Sequence, residues 1–229
     1  MGLPLRSTQD RVTQVKRGEL KVNEPRQARS RATMERILSA VEDLLAEKSF
    51  DQITIAEISA RAASAPTAIY ARFSDKTALL LAVHERFRQR TANRILAAVR
   101  DRYRADLPPD GFLGDVAREL VTVYRANQRL LRGVLLADNP LMYARAGELG
   151  RALSAAIVAQ LAPRIPPHRL PDAERDLDFA TRTMLALAQQ DLLFGAQRPT
   201  RFAYPEDELV TRITHVLVSA CRPHLTGAD

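Results

Sequence analysis

The residue types that carry out covalent chemistry are present in this chain but are not spaced for it. The four histidines, His84, His168, His215 and His224, are scattered and form no i, i+4 pair that could hold a metal on one helix face. Asp172, Glu174, Asp176 and Asp178 do cluster. They fall in the first turns of a predicted helix, where carboxylates are stabilised by the helix dipole, and this accounts for them without a metal. There is no glycine-rich phosphate loop and no nucleophile elbow. The one cysteine, Cys221, can build neither a disulfide framework nor a cysteine metal site within one chain. We therefore expect no catalytic residues, no cofactor and no metal.

A second set of side chains is spaced for recognition. Thr54, Pro66, Thr67, Tyr70, Arg72 and Lys76 lie in one stretch, TIAEISARAASAPTAIYARFSDK. Hydroxyls, a phenol, a guanidinium and an ammonium are the groups that hydrogen-bond phosphates and base edges. The residues between them predict two short helices joined by a tight turn and followed at once by a third. Thr54 and Glu57 have the spacing of a capping box, in which each side chain bonds the other's backbone N–H. Ile55, Ile58 and Ala62 would then face inward, and Ala56, Glu57 and Ala60 outward. The turn at Ala62, Ala63 and Ser64 contains no glycine, so a positive φ at Ala63 would cost about 1 kcal/mol or more. Ser64 is expected to cap the next helix, about Ala65 to Arg72, with Pro66 in its first turn. Ile69 and Phe73 would anchor that helix, leaving Pro66, Thr67, Tyr70, Ala71 and Arg72 outward. Its length, about 12 Å, is comparable with the width of a DNA major groove. Ser74 and Asp75 would cap the third helix. Lys76 then sits in a first turn, against the dipole, where a phosphate would explain it.

The elements around this stretch follow from apolar periodicity. Met34, Ile37, Leu38, Val41, Leu44 and Leu45 repeat at helical spacing, with Phe50 closing the segment. Alone, such a stripe fits any amphipathic helix; its position before the helix pair makes it the first helix of a three-helix module of about 50 residues. A long helix is expected at about 75 to 104, with Leu79, Leu80, Val83, Phe87, Ile95, Leu96 and Val99 as its apolar face. It ends near Leu107-Pro108-Pro109-Asp110-Gly111. The remaining helices are expected at about 112–127, 128–137, 139–163, 172–194 and 205–222. No strand alternation competes, and the class is all-α.

Thr54, Ile58, Ala62, Tyr70, Phe73 and Lys76 match, in order and spacing, the helix-turn-helix of the tetracycline-repressor-like (TetR) family of transcription regulators, which the chain resembles here. The departures lie in the turn and the front of the second helix of the pair, where Ala63 stands for the usual Gly, Ser64 for an apolar residue and Ala65 for the usual Ser. The resemblance implies three segments: a basic arm at 1–27, a DNA-binding domain at 28–77 and a helical regulatory and dimerisation domain at 78–229. It also implies a homodimer formed through the last two helices, an inverted-repeat operator in double-stranded DNA, and a small-molecule effector held in the body, with repression as the usual sense. Carried over by position, Pro66, Thr67, Tyr70 and Arg72 would meet the groove, and Thr54, Tyr70 and Lys76 the phosphates. Arg72 could read guanine or hold a phosphate. Tyr124, Met142, Tyr143, Phe179 and Met184 are the candidate effector contacts, although the same residues would serve as plain core. With no Trp and 5% aromatic residues, an aromatic cage for a cation is disfavoured, and a mostly apolar effector is expected.

Charge distribution sharpens this reading. The 229 residues carry a net charge of +7. Residues 1–32 hold eight Lys or Arg, Arg26, Arg29 and Arg31 among them, against three acids, whereas residues 33–80 hold five against seven. The arm, expected to lack structure in isolation, therefore carries the positive charge for DNA, or else serves only solubility. No apolar run is long enough for a membrane span, and no apolar leader opens the chain, so a cytoplasmic protein without membrane contact is expected. The alternative is a helical small-molecule-binding or scaffold protein whose helix-turn-helix no longer reads specific DNA.

Overall fold

Short polar caps and prolines set where the helices begin. In a computed structural model, in which residues 26–102, 108–194 and 200–225 are described, the chain forms α1 (Arg26–Glu47), α2 (Ile55–Arg61), α3 (Pro66–Tyr70), α4 (Lys76–Arg102), α5 (Pro109–Ala126), α6 (Gln128–Leu136), α7 (Pro140–Leu161), α8 (Leu170–Phe194) and α9 (Glu206–Cys221). The described residues contain no strand, and the fold is all-α.

The start of α2 is the predicted capping box. Thr54 Oγ1 accepts from the Glu57 N–H at 3.3 Å, and Glu57 Oε2 accepts from the Thr54 N–H at 2.9 Å. Lys48 bonds the same carboxylate. The Lys48 ammonium first, then the Thr54 N–H and hydroxyl, hold the Glu57 carboxyl down at about 2 instead of 4.5. At the other end, Ala63 takes φ 47°. The Ser64 N–H reaches the Ser59 carbonyl at 3.1 Å and the Ala63 N–H the Ala60 carbonyl at 3.3 Å, the paired bonds of a Schellman motif. Alanine thus occupies the left-handed position that favours glycine. Ser64 does not cap α3 as expected: its hydroxyl donates to the Ala62 carbonyl, and Ala65 is the N-cap, without a side-chain bond. Pro66 compensates in part, since its ring lacks the N–H that a first turn would leave unpaired. Asp75 caps α4 by accepting from the Ala78 N–H at 2.7 Å, while Ser74 bonds Asp75. Pro109 opens α5 a few residues earlier than periodicity suggested, for the same reason as Pro66.

Two apolar clusters organise the packing. One joins α5, α8 and α9 with the C-terminal halves of α4 and α7, centred on Phe112, Leu120, Leu153, Ile157, Leu177, Met184, Ile213 and Leu217. The other contains Ile37, Leu38, Val41, Phe50, Ile53, Ile58, Ile69, Phe73, Leu79, Leu80 and Val83, together with Leu130, Leu131 and Val134 of α6, Met142 of α7 and Leu192 of α8. The helix-turn-helix therefore shares its core with α6. Gly133 faces this core: a Cβ there would make van der Waals contact with Phe50 Cβ at 3.4 Å and with Leu80 at 3.9 Å. Arg129 of α6 caps the C-terminus of α1 by donating to the Leu45 and Ala46 carbonyls. Arg132 does the same for α8 through the Leu192 and Leu193 carbonyls at 2.8 and 2.6 Å. Arg86 ties α4 to α1 through Glu42, Glu35 at 2.9 Å and Ser39 at 3.1 Å, and Arg90 also pairs with Glu42.

Two predictions arise from these local features. Ala63→Gly should relieve the left-handed strain and raise stability by up to about 1 kcal/mol, or about 2–4 °C in Tm, measured by calorimetry. A lower Tm would show that alanine is not strained there. Because the Glu57 carboxyl is held low in the folded state, its contribution is present above about pH 4.5 and is lost as the pH falls toward 2. Glu57→Gln should therefore flatten that part of the acid-unfolding curve while leaving the same box geometry available, whereas an unchanged slope would remove Glu57 from the pH dependence.

Candidate nucleic-acid interface and interior cavity

The shape of α3 follows from its two anchors. Ile69 and Phe73 are buried, which turns Pro66, Thr67 and Tyr70 to solvent; Tyr70 is 58% exposed. An exposed phenol beside a hydroxyl and a proline ring, on the outer side of a short helix, offers both apolar and hydrogen-bonding contact. Thr54 is exposed at the edge of the same surface, its hydroxyl held by Glu57 at 2.8 Å. Arg29 and Arg31 are exposed in the first turns of α1, and Arg26 opens that helix. The arm before Arg26 lies outside the described residues.

The two cations of the motif are engaged within the chain. Arg72 Nη1 donates to the Ala68 carbonyl at 2.8 Å and Nη2 to the Ser30 hydroxyl at 3.3 Å. Arg72 thus fastens the end of α3 to the start of α1. Lys76 Nζ donates to the Asp51 carbonyl at 2.9 Å and lies 4.9 Å from the centre of the Phe50 ring. The lysine that opposes the dipole of α4 is thereby explained within the fold: it closes the loop between α1 and α2. Sequence reasoning assigned these two side chains outward roles and did not anticipate the ties, since Ser30 and Asp51 are far from them in the chain.

Behind this surface lies a cavity of about 720 Å³ walled by α4, α5, α6, α7 and α8. Its lining is mostly apolar, with Phe87, Leu131, Val134, Leu135, Leu185 and Leu192 among the contributors. Tyr124 and Tyr143 line it as well. Burial pushes the Tyr124 phenol up, opposed by a hydrogen bond from Gln189. The Tyr143 hydroxyl lies 3.2 Å from both the Leu135 carbonyl and Asp138 Oδ1. The other three candidates lie elsewhere. Met142 and Met184 are fully buried, one in each apolar cluster, and do not reach the cavity wall. Phe179 is 71% exposed on the outside of α8, because the buried positions Leu177, Ala180 and Met184 take the inner side. There it joins Thr183, Leu187, Leu193 and Phe194 along an open groove. Three buried polar residues of the cavity wall were missed: His84, Thr91 and Thr181, 4%, 6% and 1% exposed. A histidine between Val83 and Phe87 on an apolar stripe was the available signal. The acidic cluster of α8 disperses, with Asp176 paired to His224 at 2.8 Å and Asp178 accepting from Ser154 at 2.8 Å.

Leu131, Val134, Phe87 and Leu192 belong to the core beneath the helix-turn-helix and also line the cavity. One set of side chains therefore serves both places.

Comparison with known proteins agrees with this architecture. Residues 37–83 match the family model described as bacterial regulatory proteins, tetR family. No curated protein sequence matches the chain. Among solved structures, a tetR-family transcriptional regulator from Streptomyces coelicolor superposes with a TM-score of 0.62 at 19% identity, covering 86% of this chain and 82% of that one. A regulator of the TetR/AcrR family from Thermobifida fusca gives 0.57 at 18% identity over 81% and 96%. The dihydroxyacetone kinase operon activator DhaS gives 0.56 at 13% identity over 85% and 98%. At these identities the likeness establishes the fold, and the match over α1 to α4 establishes the domain that leads it. Residues 37–83 thus match the helix-turn-helix domain of the tetR family of bacterial regulatory proteins, and the all-α fold that continues from them is the fold of the solved regulators.

Proposed function

We propose that the protein is a dimeric, ligand-responsive transcription regulator of the cytoplasm, with residues 28–77 as the DNA-binding head and 78–229 as the body. The observation that carries this reading is the outward presentation of Pro66, Thr67 and Tyr70 on a helix that Ile69 and Phe73 hold in place. One such helix spans too few base pairs for selective binding in a genome. Two, about one DNA turn apart, would read an inverted repeat. The groove of Phe179, Leu187, Leu193 and Phe194 on α8, with the exposed Val216 of α9, offers the apolar surface for pairing. Arg26, Arg29, Arg31 and the basic arm would supply phosphate contacts that residues 33–80, with five basic against seven acidic side chains, do not.

Ligand response has a physical route. A molecule in the cavity would press on Leu131, Val134, Phe87 and Leu192, which the head also packs against. A preference of about 1–3 kcal/mol for a head spacing that misfits the operator would loosen binding by about 5- to 150-fold. We read the sense as repression, while DhaS is an activator on the same fold. The internal ties of Arg72 and Lys76 favour one alternative, a helical ligand-binding protein whose head no longer reads specific DNA.

Gel shifts with the inverted repeats next to the gene test the reading directly. At low salt and sub-micromolar protein one fragment should be retained, and light scattering at micromolar concentration should give a dimer. Phe179→Asp should yield monomers and weaken retention by about 10-fold or more, since a charge would be buried in the pairing face. No retained fragment would favour the alternative. Arg72→Ala should weaken binding to every sequence alike, by roughly 5-fold, because the side chain fastens α3 to α1. A loss of preference confined to one base pair would instead make Arg72 a base reader.

A further inference from the structure

The cavity wall holds two polar atoms that the fold leaves without a partner: His84 Nδ1 on α4 and Thr181 Oγ1 on α8. Both side chains are more than nine-tenths buried. An unbonded polar atom in a dry wall costs stability, and native proteins usually pair it with a neighbour, a water or a ligand. The charged groups of the wall are answered or solvated. Arg88 pairs with Glu85 at 2.8 Å and Glu148 at 3.7 Å, Arg145 beside it with Glu85 at 2.9 Å, and Asp178 accepts from Ser154. Arg151 and Arg182 are exposed. Burial pushes the His84 imidazole down, toward its neutral form. The interior thus presents no unanswered charge. Among the described lining residues, which also include Thr91, Tyr124, Tyr143 and Gln189, the His84 imidazole nitrogen and the Thr181 hydroxyl are the buried polar side-chain atoms without a partner, set in a largely apolar surface and a volume of about 720 Å³ that suits a small organic molecule.

We propose that the effector is an uncharged, mainly apolar molecule whose hydroxyl or carbonyl group bonds His84 Nδ1 or Thr181 Oγ1. This rests on reading the cavity as the effector site. A neutral imidazole and a threonine hydroxyl can each donate or accept, so both match a hydroxyl. A carboxylate on these two atoms would have to leave water for a place where Arg88 is already paired with Glu85 and Glu148 and where Arg151 and Arg182 stay exposed to solvent. The apolar remainder of the molecule would lie on Phe87, Leu131 and Leu185, so the specific bonds and the contact with the shared core would be made together.

Three probes of one shape separate the ligand classes: naphthalene, 2-naphthol and 2-naphthoate, titrated by calorimetry into the full chain without DNA. We expect 2-naphthol to bind at least about 10-fold more tightly than either of the others. The double variant His84→Phe/Thr181→Val should keep naphthalene affinity, which shows an intact cavity, and should lose the preference for 2-naphthol. Thr181→Ser, which retains the hydroxyl, should keep the preference. Equal binding of the three probes, no binding of any, tighter binding of 2-naphthoate, or a preference that survives the double variant would each overturn the proposal. DNA retention is measured separately: its failure beside an intact 2-naphthol preference would sink the regulator reading alone, and the reverse result would sink only this one.

Discussion

The packing of α6 against the helix-turn-helix is the contact on which the rest of the molecule depends. The apolar cluster of α1, α2, α3 and the first half of α4 is shared with α6. Gly133 faces Phe50 and Leu80; Leu130, Leu131 and Val134 fill the space, and Arg129 caps the end of α1. Close-packed interiors do not deform continuously, so a shift in α6 must be answered by the elements it supports. The same helix lines the cavity, and its Arg132 caps α8. Head, cavity and the groove on α8 are thereby joined through nine residues of α6.

Electrostatics is arranged differently in the two halves of that system. In the head, charged groups are used up in positioning: Arg86 and Arg90 on Glu42, Arg72 on Ser30, Lys76 on the Asp51 carbonyl. What α3 shows to solvent is small, hydroxylic or aromatic. In the proposed DNA complex, such a surface would gain selectivity from fit and hydrogen bonding, and long-range attraction would come from basic residues such as Arg29 and Arg31 at the start of α1. In the body, the charges around the cavity are paired or exposed to solvent, and the largely apolar lining holds two buried polar atoms without partners, on His84 and Thr181.

The exposed groove on α8 carries its own constraint. Phe179 and Phe194 lie outward because α8 spends its inner face on Leu177, Ala180, Met184 and Ala188. A helix apolar on both sides needs partners on both sides. In the proposed dimer, a second copy would cover the outer side.

Much of this was written locally in the chain. Thr54 and Glu57 set the start of α2, Pro66, Pro109 and Pro140 mark first turns, and the periodic Ile37, Val41 and Leu44 identify a core face, because caps and amphipathic spacing act within a turn or two of helix. Ala63 announced its own strain for the same reason. Other features needed the folded chain. Which face of α8 points inward, whether Met142 lies in core or cavity, and what Arg72 and Lys76 bond are decided by residues tens of positions away. His84 and Thr181 read as ordinary members of apolar stripes, and only the meeting of α4 with α8 around a hollow leaves their polar atoms without partners. Short-range spacing determined the helices and the family they resemble; long-range packing alone decided which side chains are held, which are free, and where a ligand could enter.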